Sequence, residues 1–286
     1  MPIATAVVFY YPDASTIARI TNYLRFVDFL VIIDNTDNQD LAETLRTGPK
    51  LRYAPMGTNS GIAAALNVAA RIAIDNRFTW MLMLDQDSLM VETTYDAIKH
   101  AIGSMVEQDV AIFAPIQVSK LSDHRALNGT DAILTVNRLM TSGSALNLDA
   151  FSHCGPFEEK LFIDHVDNEY CFRLTRAGYK VQQLTQVALD HSLGEIQEAR
   201  LLFGRSFQYV SHRPFRSYYY VRNGFYVALK FIFHRPGFLA VLGLQIMKDV
   251  LKAIFFEDET ALRLKMMLLG FVHFCIGRYG PLRYSR

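Results

Sequence analysis

Five short apolar runs, at residues 4–10, 29–34, 51–54, 80–84 and 110–114, are separated for the most part by helical patterns at 14–25, 62–75 and 93–107. A chain that alternates in this way buries its strands by covering a largely parallel sheet with helices on both faces, so an α/β fold is predicted. At 286 residues, 51% of them apolar, the chain can bury such a core as one large domain or a domain with an appendage. In sheets of this kind ligands bind beyond the carboxyl ends of the strands. Three of those ends carry polar clusters: Tyr11-Pro12-Asp13, Asp34-Asn35-Thr36-Asp37 and Asp85-Gln86-Asp87. They are expected to converge on one cleft.

The third cluster narrows the chemistry. Asp85 and Asp87 follow the buried run Leu82-Met83-Leu84 and are one residue apart, so chain reversal can turn both carboxylates toward one divalent cation. Hard cations such as Mg²⁺ or Mn²⁺ take oxygen ligands and share them with substrate phosphates, which suits a nucleotide-diphosphate substrate. Two solvated acids at a strand end are the plainer alternative. The formal charge of +1 gives a nucleic-acid partner no global electrostatic support. Cys154, Cys171 and Cys275 form no C-x-x-C pair, and their odd number speaks against a disulfide framework, so a reducing cytosol is expected. The first ten residues run into the first strand pattern without a charged leader.

The second half carries a Gly-Ser segment, Thr141-Ser142-Gly143-Ser144, a short helix near Leu148–His153 and a helical pattern from about Asp167 to Ala177. Beyond residue 213 the composition shifts toward Phe, Tyr, Leu, Met, Lys and Arg, which divides the chain into 1–212 and a C-terminal amphipathic helical region, 213–286. Its apolar runs, Phe225–Phe233, Phe238–Met247 and Met266–Ile276, fall short of the ~20 residues of a spanning helix. Two readings stay open: a helical subdomain packed on the core, or amphipathic helices lying in a membrane interface with Lys and Arg toward anionic lipid.

Asp34-Asn35, then Asn59-Ser60-Gly61-Ile62, then Asp85-Gln86-Asp87, set in this α/β order, resemble the inverting GT-A glycosyltransferases of family 2. Within that family the chain is most similar to the bacterial rhamnosyltransferases, over nearly its whole length. Leu161–Arg173, Asp190-His191-Ser192-Leu193-Gly194 and Ser211–Asn223 carry the rest of the resemblance. It implies a GT-A fold, a Rossmann-like, mostly parallel sheet flanked by helices. Tyr10, Tyr11 and Pro12 would line the nucleotide pocket, Asp34 would accept hydrogen bonds from base or ribose, and Asn59, Gly61, Asp85 and Gln86 would complete the donor site. Asp85, Asp87 and His191 would hold Mn²⁺ or Mg²⁺. Asp167, in Asp167-Asn168-Glu169, maps to the catalytic base, with its helix dipole expected to keep it ionised. Asp164 is the substitute, because Val166 stands where many family members have an acid. Ser142, Gly143, Asp164, Glu169, Arg216 and Arg222 would serve the acceptor. Local roles compete at several positions: a turn at Asn35, a cap at Asn59 or Asp167, an i,i+4 ion pair between Glu169 and Arg173.

The implied reaction is metal-dependent single displacement, moving L-rhamnose from dTDP-rhamnose to a sugar hydroxyl of a lipid-linked or glycolipid acceptor in cell-surface polysaccharide biosynthesis. The enzyme would then be peripheral on the cytoplasmic face of the inner or plasma membrane, with a homo-oligomer left open. A galactofuranosyl or other hexosyl transferase using a UDP-sugar is the nearest alternative. A nucleotidyltransferase would consume a nucleoside triphosphate and release pyrophosphate instead. A noncatalytic nucleotide-sugar-binding scaffold would show no turnover.

Overall fold

The computed structural model describes residues 1–38, 41–45, 47–104, 109–118, 132–190, 195–200 and 206–282. Its centre is a parallel set of strands: β1 (Ala4–Phe9), β2 (Phe29–Asp34), β3 (Leu51–Pro55) and β4 (Trp80–Asp85). β1 and β2 are buried at every position, which is why they read as continuous apolar runs rather than alternating ones. Successive side chains still point to opposite faces. Ala4, Ala6 and Val8 enter one core layer, whereas Ile3, Val7 and Phe9 enter the other.

Helices close both layers. α2 (Ile62–Asp75) brings Ala63, Ala65, Ala69 and Ala73 onto the first face, where small side chains let helix and sheet approach closely. The second face is covered by Ile20 of α1 (Ala14–Asn22) and by Tyr95, Ile98 and Ile102 of α3 (Glu92–Gly103). Asp13 accepts from Thr16 N at 2.7 Å and caps α1. A 3₁₀ turn at Tyr23–Arg25 takes up the end of the predicted 14–25 helix, while the tail of the predicted 93–107 helix beyond Ser104 lies outside the described residues.

The full sheet runs β3-β2-β1-β4-β7-β5-β8-β6 and is mixed rather than simply parallel. β5 (Val110–Val118) pairs in parallel with β8 (Lys180–Asp190), but β7 (Ala145–Asn147) is antiparallel to both β4 and β5, and β6 (Ile133–Thr135) is antiparallel to β8. β7 arises because the Thr141–Ser144 turn folds back along β4. Gly143 N donates to Met83 O at 2.7 Å, and Met83 N donates to Ser144 O at 2.8 Å. α4 (Leu148–Cys154) follows β7 directly, as expected, and a separate antiparallel pair joins β9 (Glu195–Arg200) to β10 (Ser206–Ser211).

Three C-terminal helices form a bundle: α6 (Pro214–Lys230), α7 (Pro236–Phe255) and α8 (Thr260–Cys275). Val227, Ala228, Phe231, Phe238 and Leu242 join the same core as α2. None of the described helices is long and apolar enough to cross a membrane.

The bundle is also tied to the sheet domain ionically. Glu169, on α5 (Val166–Arg176), is fully buried and accepts from Arg173 at 2.6 and 3.1 Å and from Lys230 at 2.8 Å. Removing Glu169 takes a buried carboxylate away from two partly buried cations, of which Lys230 keeps Glu158 as a second partner. Glu169→Ala is expected to lower unfolding free energy by about 1.5–3 kcal/mol in a urea titration. An unchanged midpoint would show that Arg173 and Lys230 find equivalent partners.

Candidate active site

The cleft opens where the sequence places it, at the carboxyl ends of β1, β2 and β4, and extends to the start of α5 and to α6. Its volume is about 610 Å³. Tyr10, Asn59, Gly61, Asp85, Gln86, Asp87, Ser142, Asp164, Asp167 and Arg216 all line it.

Cross-strand hydrogen bonds fix the donor end. Gln86 accepts from Tyr10 N at 2.8 Å and donates to Tyr10 O at 3.1 Å, joining the ends of β1 and β4, and Arg19 donates to the Gln86 carbonyl. Asp85 N donates to Ser142 Oγ at 3.0 Å, and that buried hydroxyl also pairs with Ser88 Oγ at 2.6 Å. Ser142 therefore buttresses the Asp85–Ser88 turn from the cleft wall.

At the end of β2 the neighbouring residue reaches the cleft. Asp34 is fully buried, accepting from Thr36 N at 3.1 Å and from the Tyr53 hydroxyl at 2.8 Å. Because side chains alternate along a strand, Asn35 lines the cleft and Asp34 holds the turn. Asn35 accepts from Ser60 N at 2.8 Å and donates to Asn59 Oδ1 at 3.1 Å, so the two strand-end loops are linked.

Gly61 has φ +85°, and a Cβ there would lie 2.5 Å from the Phe162 carbonyl oxygen, which accepts from Ile62 N at 2.8 Å. The close approach that demands glycine is thus made by the protein's own Phe162–His165 loop. In that loop Phe162, Asp164 and His165 have φ of +68°, +61° and +62°. Such conformations cost about 1–3 kcal/mol each and persist only where surrounding contacts enforce them. Asn223 supplies the enforcement, donating to Leu161 O and Ile163 O at 2.7 Å and to Asp164 O at 3.1 Å. Arg222 reinforces it from full burial, donating to Leu161 O at 3.1 Å and Gly280 O at 2.7 Å.

The loop delivers two acids in different states. Asp164 accepts from Arg216 at 2.6 Å as an ion pair. Asp167, in the first turn of α5, accepts from Asn168 N at 2.7 Å, yet burial first and the Asp164 charge second push it up to about 6. The helix dipole that was expected to keep it ionised is outweighed by desolvation. Beside them His165 is buried against Tyr220, at a ring separation of 4.6 Å, and burial pushes it down to about 4, so it is neutral at pH 7.

Other expected residues take different places. Tyr11 is exposed beside the cleft, its N–H donating to Thr36 Oγ1 at 2.9 Å, and neither it nor Pro12 lines the cavity. Gly143, at φ +81°, admits the Leu189 side chain rather than a ligand. Glu169 and Arg222 are committed to the internal partners described above, so the i,i+4 pairing describes Glu169 better than an acceptor contact. His191 lies outside the described residues. Phe162, His165, Tyr220 and Asn223 were not singled out for the site. Asn223 stood in the Ser211–Asn223 segment, but nothing local marked its partners some sixty residues away.

Among the described residues no group of three or more His, Cys, Asp or Glu side chains is arranged to hold a metal ion. Asp85 and Asp87 nevertheless line one wall of the cleft, and two carboxylates there fit a hard cation that completes its shell with phosphate oxygens.

The Rossmann-like mixed sheet, strand-end cleft and C-terminal bundle constitute a GT-A fold. The S. aureus TarS 1–349 structure in complex with UDP-GlcNAc matches with a TM-score of 0.59 at 14% identity, over 96% of this chain and 81% of that one. A GalNAc-T7 structure with UDP, GalNAc and Mn²⁺ matches with a TM-score of 0.52 at 14% identity, over 66% of this chain and 43% of that one, so the match spans less than half of GalNAc-T7. In sequence, the chain is 27% identical over 241 residues to the dTDP-rhamnosyl transferase RfbF of Shigella flexneri, covering 80% of each. No protein-family model matches the chain. The chain therefore has a GT-A fold and is similar in sequence to a bacterial nucleotide-sugar transferase.

The raised Asp167 carboxyl has a stability consequence. Between the ordinary aspartate value of 3.8 and about 6 the folded state keeps a proton that the unfolded chain gives up, so this group lowers stability as pH rises through that window. Asp167→Asn is expected to unfold at higher denaturant than wild type at pH 8, by up to about 3 kcal/mol, and to match it below about pH 4. Equal midpoints at pH 8 would refute the strained carboxylate.

Proposed function

We propose that the chain is an inverting, nucleotide-sugar-dependent hexosyltransferase whose base is Asp167. The observation that carries this is the cleft itself. The strand-end acids Asp85 and Asp87 line it together with a desolvated Asp167 whose neighbour Asp164 is already neutralised by Arg216. A carboxyl raised toward neutrality suits general base catalysis, and Asp164 is already engaged by Arg216. Asp167 takes the acceptor hydroxyl proton as that oxygen attacks C1 of the donor sugar. The C1–oxygen bond to the diphosphate breaks on the opposite side, inverting C1 and releasing a nucleoside diphosphate. Asp85 and Asp87 would hold Mn²⁺ or Mg²⁺, which supplies positive charge to the leaving diphosphate. Arg216 orients Asp164 and adds a fixed cation to the cleft wall.

The donor is a nucleoside diphosphate sugar, and the structural neighbours with UDP and UDP-GlcNAc support a UDP-hexose. This broader alternative is better backed than the rhamnose-specific reading. dTDP-rhamnose stays as the second donor because of the likeness to RfbF. A saccharide hydroxyl, on a lipid-linked or glycolipid carrier, is the acceptor. A screen of UDP-sugars and dTDP-rhamnose with Mn²⁺, read by thermal protection and by mass-spectrometric detection of released nucleoside diphosphate, tests the assignment. Pyrophosphate release from a triphosphate would point to a nucleotidyltransferase, and protection without turnover across an acceptor panel to a scaffold.

Two variants divide binding from chemistry. Asp87→Ala is expected to abolish Mn²⁺-dependent affinity for the diphosphate in calorimetry while the protein stays folded; unchanged affinity would remove Asp87 from the cation site. Asp167→Asn should keep donor affinity while transfer falls by roughly 10²–10⁴. In the wild type transfer should decline below about pH 6, as Asp167 takes up its proton. Near-normal turnover in the variant would shift the base role to Asp164.

A further inference from the structure

α7 is apolar on two faces, and among the described residues only one of them is covered. Phe238, Leu242 and Ala253 are buried against the core. Val241, Leu244, Met247, Leu251 and Ile254 recur every three or four residues on another side and are each about half exposed, ending at Phe255, which is 68% exposed. From Val241 to Phe255 the stripe is about 21 Å long on a twenty-residue helix. Phe233, in the turn that leads into α7, is 100% exposed. A contiguous apolar strip of this kind marks an interaction surface rather than scattered surface residues.

Charge selects the occupant. Lys248 is exposed within the stripe, and α8, whose Leu268, Phe271 and Val272 are also exposed, carries Lys265 and no acidic residue. The exposed acids Asp258 and Glu259 lie in the turn past the end of α7. Pairing two copies of the stripe about a two-fold axis at the helix midpoint would bring both Lys248 ammonium groups within about two turns of each other. An anionic lipid surface accepts the same lysines and the same apolar side chains.

We propose that α7 lies flat on an anionic bilayer, burying the Val241–Phe255 stripe with Lys248 toward the lipid headgroups. The adjoining side of the helix then gains a role. Gln245, Asp249 and Lys252 line a polar cavity of about 390 Å³ whose wall includes Asp164, Arg216 and Tyr220, residues that also line the proposed donor cleft. Docking by the stripe brings that cavity to the membrane surface, where an acceptor saccharide carried on a lipid reaches the cleft without leaving the bilayer plane. The role of the cavity rests on the proposed transferase reading; the docking face does not.

Flotation of the full chain with phosphatidylcholine vesicles, with and without phosphatidylglycerol, tests the docking. Wild type is expected to float with the anionic vesicles at low salt and to be released as salt screens the lysines. Lys248→Gln should weaken partitioning about fivefold. The double variant Leu244→Glu, Leu251→Glu should weaken it more than tenfold. Unaltered thermal midpoints and unaltered protection by nucleoside diphosphate would establish that the variants are folded, separately from any failure of the transferase reading. Wild type that does not float, or a double variant that floats as well as wild type, overturns the proposal. A dimer in light scattering that the double variant dissolves, without flotation of the wild type, assigns the stripe to a second copy instead.

Discussion

The grip of α6 on the Leu161–Asp164 carbonyls is the constraint on which the rest of the site depends. Three non-glycine residues in that loop sit in left-handed conformations, and loops of this length do not hold such backbone by themselves. Asn223 and Arg222 together donate to the Leu161, Ile163 and Asp164 carbonyls from full burial, so the strain is supported by a rigid helix. Gly61 completes the arrangement from the other side by having no side chain where Phe162 passes. α6 is therefore part of the cleft, which Phe215, Arg216 and Tyr220 line.

With the loop fixed, the acids of the cleft differ in their surroundings. Asp164 is turned onto Arg216, which donates to it at 2.6 Å. Asp167, three residues on, loses more solvent than it gains in hydrogen bonds and is left with a raised proton affinity. Two carboxylates of identical chemistry thus sit in different surroundings, one held by an arginine and the other desolvated at the start of a helix. Glu169, on the same helix, differs from both, since its charge is matched by Arg173 and Lys230 in the interior.

Sheet and cleft are coupled through backbone more than through side chains. The Thr141–Ser144 turn pairs with β4 and in doing so inserts the antiparallel strand β7 between the parallel-running β4 and β5. The same turn sets Ser142 under Asp85, so the irregularity of the sheet and the placement of the strand-end acids have one cause.

The sequence by itself determined the α/β class, the positions of β1, β2, β3, β4, α2, α4 and α5, and the cleft at the strand ends. Those features follow from local periodicity and from the rule that polar residues gather where buried strands end. It also brought Asp85, Asp87, Asp164 and Asp167 forward as acids worth testing. Only the tertiary structure decided that Asn35 rather than Asp34 faces the cleft, because the pleat and the Tyr53 hydroxyl turn Asp34 inward. It likewise decided that Arg222 clamps a loop, that Glu169 is a buried ion-pair centre and that β7 runs antiparallel. Each of these depends on partners far away in the chain, and on how much water a side chain loses once those partners close around it. Periodicity carries no record of either quantity.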